Sequence, residues 1–512
     1  MRRLLTEAAR TDPRIKPVFR PTNGHIALAT NSALATATGE FVALVDHDDL
    51  LPPDALLHIA QAVLAHPTVG YLYTDEDKVD DSGHHYDPQF KGDWSPEMAI
   101  THNYTHHLSV LRRSVVTAVG GLRPEFNGAQ DLDLFLRCFE RLDPAAIVHV
   151  PFVCYHWRAH AESTAARGDQ KGYLFDAARL AIAEACTRRG LRATPVLPPL
   201  ARQYALCLHQ LQWDPAVLRE HPVTIVIPTR NRADRLARCL ASLARTTPPE
   251  SVRLLVVDAG SDEPAALALL AGLPARTDRH CRVVTAPPSP GEGFDHSRLF
   301  NLGAAQADTP LLLLLSPDVE ALQPGWLEDL VGWASVPGVG IVGPKLLYPD
   351  GTIANAGLGL GRADSLPHAL FAHTSADDLG YVVFLPHAAR NVAAVSGACL
   401  LTRTALHRQL GGFAPQSFPG AYNDVDYCLR AARLGERTVF TPQAVLQCDL
   451  APACERQRGR AGRLHRRPRR RPRPLPRRGP RLPAAATAAQ SPPPPPVRPP
   501  SPLPRDRLQF RL

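Results

Sequence analysis

Apolar residues in this chain fall into short runs bounded by glycine, proline or acids, with helix-spaced segments between them. Phe41-Val42-Ala43-Leu44-Val45 follows Gly39 and stops at Asp46-His47-Asp48-Asp49, a pattern that predicts a buried parallel strand ending in carboxylates. Pro310–Leu315 does the same, running into Ser316-Pro317-Asp318-Val319-Glu320, and a helix with Trp326 and Leu327 follows. Between His221 and Val257 the order is strand (through Ile227), helix (Leu236–Ala244) and strand (Arg253–Val257), ending at Asp258. That is a βαβ unit, and it implies a parallel sheet. Further strands are expected at Ile15–Phe19, Val69–Tyr73, His107–Leu111 and Ile147–Pro151. Helices are expected at Asn23–Thr38, Pro53–Ala65, Leu132–Arg141 and, as a connector, Lys171–Gly190.

The strand-to-acid pattern occurs twice, and each copy is trailed by a second acidic element: Gln130-Asp131-Leu132-Asp133 and Asn423-Asp424-Val425-Asp426. One module type used twice accounts for this. The predicted organisation is an α/β chain with a first module over 1–215, ending in a helical connector, a second over 216–450, and a tail over 451–512. The first module has no counterpart of the Val223–Val257 βαβ unit, so it is expected to lack the half that would hold a nucleotide base. The tail is rich in Arg and Pro, with almost no periodic apolar content, and should be disordered. The abrupt change after Leu446 suggests a reading frame shifted near that point, and a genuine basic tail is the competing reading.

Charge changes the picture once it is divided. The net charge is +8, but residues from Ala451 onward carry 17 Arg, no Lys and 2 acids, leaving 40 bases against 47 acids in the body. A mildly acidic body is no nucleic-acid-binding surface; only the tail could bind RNA or an anionic membrane. No apolar run is long enough to span a bilayer, and the N-terminus lacks an apolar leader core. The 10 cysteines show no CxxC pairing, which fits reduced thiols in a cytoplasmic protein. No GxGxxG follows a strand, which argues against a nicotinamide dehydrogenase.

Carboxylates gathered at strand ends repel one another unless a cation is present, and one or two of them with substrate phosphates is how Mg²⁺ or Mn²⁺ is usually held. An acidic turn capping Pro53–Ala65 is the alternative at Asp46–Asp49. Asp131 and Asp424 each stand before a helix-like segment, where a carboxylate can cap the helix, and His156 between Tyr155 and Trp157 reads as a core histidine. Asp75, Glu76 and Asp77 read as a solvated turn, while Arg430 is expected to pair with a nearby acid.

The ordered series Thr36–Phe41, Asp46-His47-Asp48-Asp49, Tyr73–Lys78, Gly128–Asp131 and Tyr155–Arg158 is matched in the second module. There it reads Val226–Asn231, Asp258–Ser261, Pro317–Glu320, Lys345–Gly351 and Asn423–Arg430. Together these resemble the GT-A fold, family 2 inverting glycosyltransferases of bacterial O-antigen and surface-polysaccharide synthesis. The resemblance implies two Rossmann-like GT-A modules in tandem. It implies that Pro228, Thr229, Asn231 and Asp258 cradle a nucleotide-sugar donor. Asp46, Asp48, Asp318 and His156 would hold a divalent metal, Mn²⁺ or Mg²⁺, and Asp131 and Asp424 would be the bases. Asp75, Glu76, Asp77 and Asp426 would lie toward the acceptor, a glycan or lipid-linked glycan at the inner face of the plasma membrane. Where the family continues with histidines, this chain reads Gln447-Cys448-Asp449, so the last metal-site histidine of the second module is expected to be absent. The competing function is a glycosyltransferase-like scaffold or glycan-binding protein without turnover.

Overall fold

Five consecutive leucines, Leu311–Leu315, have no polar face to offer water, and the chain buries all of them at the centre of a ten-stranded sheet. The computed structural model describes residues 2–158, 172–276, 280–286, 294–361, 366–379 and 384–449. The predicted tail lies outside them. In the second unit the sheet order is His280–Thr285, Val252–Asp258, Val223–Thr229, Leu311–Leu315, Cys399–Arg403, Val339–Leu347, Arg437–Cys448 and Val319–Ala321. The first four are mutually parallel, as the βαβ pattern requires, and Cys399–Arg403 runs against them.

The first unit repeats the second half of this order. Phe41–Leu44 pairs antiparallel with Ser109–Arg112, which pairs with Tyr71–Val79, and that strand runs parallel to Ile147–Arg158. Phe41–Leu44 was expected to be a buried parallel strand; it is instead an edge strand. Its only strand neighbour among the described residues is antiparallel, and Ala43 and Val45 are exposed. Among the described residues nothing takes the place that Val223–Thr229 holds beside Leu311–Leu315. Ile15–Phe19, also expected to be a strand, is extended without a ladder partner. Tyr71–Val79 runs further than the apolar residues suggest, because its acids find partners inside the fold.

Matching side-chain clamps make the two units recognisably one design. Arg137 donates to the carbonyls of Val119 and Gly121 at 2.6 and 2.8 Å, and Arg430 donates to those of Leu410 and Gly412 at 2.7 and 2.8 Å. Each is braced by the acid one turn earlier, Asp133 or Asp426. Asn31 exchanges two hydrogen bonds with the backbone of Leu122, and Asn301 does so with Phe413 at 2.8 and 2.9 Å. Gly412, at φ 74°, lies so close that a Cβ there would sit 2.4 Å from the Asn301 Oδ1. Asn301→Ala leaves the Phe413 N–H and C=O without these partners and is expected to cost about 1–3 kcal/mol. Urea unfolding of the full chain measures this.

The units share packing. Ala178, Ile182 and Cys186 of the Gly172–Arg188 helix belong to the same apolar core as Trp213, Ile225 and Trp333. The Asn391 N–H donates to Ser95 Oγ at 3.0 Å, and Arg437 pairs with the buried Glu97 at 2.8 Å. Among the described residues no helix is long and apolar enough to cross a membrane.

Candidate active site

At the carboxyl edge of the second sheet the four predicted donor residues converge. Parallel register puts Pro228 beside Val257 and Thr229 beside Asp258. Asp258 Oδ1 accepts from the Ser261 N–H at 3.0 Å and from its hydroxyl at 2.5 Å. The Ser261 hydroxyl in turn accepts from the Asn231 N–H at 2.8 Å. Asn231 sits at φ 57°, where Asn is tolerated, and its side chain ties down the next loop. Its Oδ1 accepts from the N–H groups of Asp262 and Glu263 at 3.0 and 3.1 Å, and its Nδ2 donates to the Asp262 carboxylate at 2.8 Å. The result is a rigid floor at the strand ends, where open α/β sheets bind ligands.

Asp424 stands in the first turn of the Asn423–Arg433 helix, almost wholly buried. Its carboxylate accepts from the N–H groups of Gly397 and Val425 at 2.8 and 2.9 Å. Burial nevertheless raises its pKa above the ordinary carboxylate range. The next residue, Ala398, accepts from the Ser316 N–H at 2.8 Å, so the Ser316–Asp318 turn and Asp424 flank the same short segment.

Asp318 itself is not an open ligand. Its carboxylate is paired with the Arg235 guanidinium, and the Ser316 hydroxyl lies 3.3 Å from its other oxygen. Glu320 pairs with Arg238 at 2.9 Å, and Arg238 also reaches Asp449. In the strand ladder Glu320 lies opposite Gln447, whereas Leu50 of the first unit lies opposite His156. Gln447 thus occupies the place of that histidine. As placed, these residues do not fit a divalent cation: the one carboxylate is already paired with a guanidinium and stands beside a serine hydroxyl. Asp318, expected as a metal ligand, is thus found paired with Arg235. Asp426, expected near the acceptor, is held by Arg430 at 2.9 Å as part of the backbone clamp.

In the first unit Asp46, Asp131, Asn103, His106, His107 and Trp157 line a cleft of about 890 Å³. Asp131 accepts from the Asn103 amide at 2.8 Å. Asp46 has its pKa raised by desolvation first and then by the charges of Asp49, Asp48 and Asp131. Such mutual repulsion is what a bound cation relieves, and Asp46 and Asp48 fit one in this respect. Asp49 is already engaged by the Tyr155 hydroxyl and the Arg158 N–H. His107 lies 4.0 Å from Asp46 and stacks on Tyr155, with burial holding its pKa well below the usual imidazole value.

His156 does not join Asp46 and Asp48. Alternation along Ile147–Arg158 puts Tyr155 and Trp157 on one face and His156 on the other, where its Nδ1 meets Asp77. Asp77 also binds His85 at 3.0 Å. Asp75 accepts from the Lys91 N–H and His149, each at 2.8 Å. Glu76 lies 3.3 Å from the buried Lys91 ammonium. These three acids were expected to face an acceptor or form a solvated turn; they are paired within a strand instead. Among the described residues two groups could hold a metal ion, Glu76–His106–His107 and Asp77–His85–His156. Sequence reading missed His106, His107, Lys91 and Arg235. The pair of imidazoles directly ahead of an apolar run was the available signal for the first two.

A family model described as "Glycosyltransferase like family 2" matches residues 221–473, and one described as "Glycosyl transferase family 2" matches residues 1–120. The uncharacterized protein y4gI of Sinorhizobium fredii is 38% identical over 448 residues, covering 87% of this chain and 47% of that protein. The O-antigen biosynthesis protein RfbC of Myxococcus xanthus is 34% identical over 447 residues, covering 87% and 33%. The chain therefore spans less than half the length of these relatives. Among solved structures, the mannosyltransferase PcManGT of Pyrobaculum calidifontis, in complex with GDP-Man and Mn²⁺, aligns at TM-score 0.33 and 19% identity, covering 45% of this chain and 57% of that one. Two ordered α/β units, each matched by a family model of the same kind, give the conclusion that this chain belongs to the family 2 glycosyltransferases of the GT-A fold, with two such modules in tandem.

Proposed function

We propose that the second unit, within 216–450, transfers a sugar from a nucleoside-diphosphate sugar to a hydroxyl of a growing bacterial surface polysaccharide, with inversion. The supporting observation is that the Thr229–Asn231–Asp258 floor and the Asp424 carboxylate lie at the same carboxyl edge of one sheet. In this reading Asp424 accepts the proton of the acceptor hydroxyl. The hydroxyl oxygen attacks the anomeric carbon as the bond to the diphosphate breaks, and the electron pair leaves with the diphosphate. One displacement on one base inverts the centre. Asp46 and Asp48 of the first unit are the residues suited to Mn²⁺ or Mg²⁺, which when bound supplies Lewis-acid charge neutralisation. Surface polysaccharide as the product is drawn from the O-antigen biosynthesis name of the M. xanthus relative, and an acceptor glycan or lipid-linked glycan at the cytoplasmic membrane face is part of the proposal. The unit limits 1–215, 216–450 and 451–512 are part of this proposal.

A scaffold that binds glycan without turnover is the second reading. It is favoured by the Arg235 pairing that neutralises the Asp318 carboxylate. Binding of UDP-, GDP-, dTDP- and CDP-sugars to the full chain by calorimetry separates the two. Asp258→Ala is expected to weaken donor binding by about tenfold or more, the order of a lost charge-assisted hydrogen bond. Failure of every nucleotide sugar to bind, or indifference of binding to Asp258→Ala, overturns the enzyme reading.

A further inference from the structure

We propose that the second unit receives the diphosphate of its donor against arginine side chains, centred on Arg235, and uses no divalent cation there. This rests on the donor-site reading above. Three observations carry it, and each removes something a cation would need. The Asp318 carboxylate, at the position of Asp48 in the first unit, is paired with Arg235. Ser316 replaces the carboxylate of Asp46, and its hydroxyl is turned onto Asp318. Glu320, the remaining acid of the turn, is held by Arg238, which also holds Asp449.

The arginines come from the stretch that also forms the donor floor. Arg235 and Arg238 lie in the Ala233–Thr246 helix, and exposed Arg230 and Arg232 precede it on the loop carrying Asn231. An anion on this edge meets guanidinium groups already held by carboxylates in fixed geometry. Guanidinium is always charged and matches phosphate oxygens through two parallel N–H donors. A divalent ion placed at Asp318 would first have to displace Arg235. The two units thus differ: like charges raise the pKa of Asp46 in one, and arginines pair the carboxylates in the other.

Mn²⁺ alone, titrated into the full chain and followed by electron paramagnetic resonance, gives the first test. Asp318→Asn is expected to leave the number of bound Mn²⁺ equivalents unchanged, and Asp46→Asn with Asp48→Asn to lower it. Loss of one equivalent in Asp318→Asn overturns the proposal. Calorimetry with UDP, GDP, dTDP and CDP gives the second. Affinity for the diphosphate that binds is expected to agree within about twofold in EDTA and in Mn²⁺, and Arg235→Ala to weaken it about tenfold or more, with Arg235→Lys between. A diphosphate that binds only with Mn²⁺, and not to Asp318→Asn, also overturns it. If no diphosphate binds under either condition, the donor-site reading fails, and the Mn²⁺ count still decides the cation question.

Discussion

Asp424→Asn is expected to lower kcat by about 10²- to 10⁴-fold, the usual worth of a positioned general base, while leaving nucleotide-sugar affinity nearly unchanged. The donor floor at Thr229, Asn231 and Asp258 is held by its own hydrogen bonds and does not involve Asp424. Asparagine keeps the shape but presents an NH₂ to one of the two backbone N–H groups that now donate to the carboxylate. A stability loss therefore accompanies the change, and kcat must be compared in protein whose unfolding midpoint has been checked. The pH profile gives an independent reading. Only the deprotonated carboxylate takes a proton, and burial raises its pKa. Activity must then fall as pH is lowered through that raised pKa, with an acid limb lying above the ordinary carboxylate range. Turnover in Asp424→Asn within threefold of the parent chain, or an acid limb at an ordinary carboxylate pKa, removes Asp424 from the role.

The largest expected effect on stability comes from Arg437→Ala. Glu97 is 1% exposed, and Arg437 donates to its Oε1 from two nitrogens at 3.0 and 2.8 Å. Taking away one member of a buried pair leaves an uncompensated charge and typically costs about 3–5 kcal/mol. Arg189 also feels the Glu97 charge, which favours the lower end of that range. The pair joins the two units, since Glu97 lies in the Pro96–Ala99 helix and Arg437 begins the Arg437–Cys448 strand. Arg437→Ala combined with Glu97→Gln should recover much of the loss, because the buried charge is gone. Urea unfolding of the three chains measures this. A loss below 1 kcal/mol in the single variant would show that the pair is energetically idle.

Much of the candidate site was legible because it lies on local patterns. The donor residues sit at the ends of apolar strands, and the parallel order follows from strand–helix–strand spacing, so Thr229 and Asp258 were bound to be neighbours. Arg430 reads as a structural cation from its position one turn after Asp426, and the structure pairs them. Other groups meet partners that are distant in sequence. Asp318 meets Arg235 from 83 residues away, and Asp77 meets His156 from 79 residues away. No local period announces such a pair.

The sequence by itself determined that an α/β motif recurs and that a βαβ unit opens the second copy. Apolar periodicity and chain punctuation act over a few residues and are readable directly. Only the tertiary structure decided which carboxylates are open and which are spent. An acid's chemistry depends on the cation or N–H that faces it, and those groups arrive from other strands and helices. Asp424 and Asp46 keep raised pKa values in different surroundings, the first through burial and the second through burial and like charges. Asp318, at the strand end where the first unit carries Asp48, ends up neutralised because the helix after Asn231 lays an arginine across it.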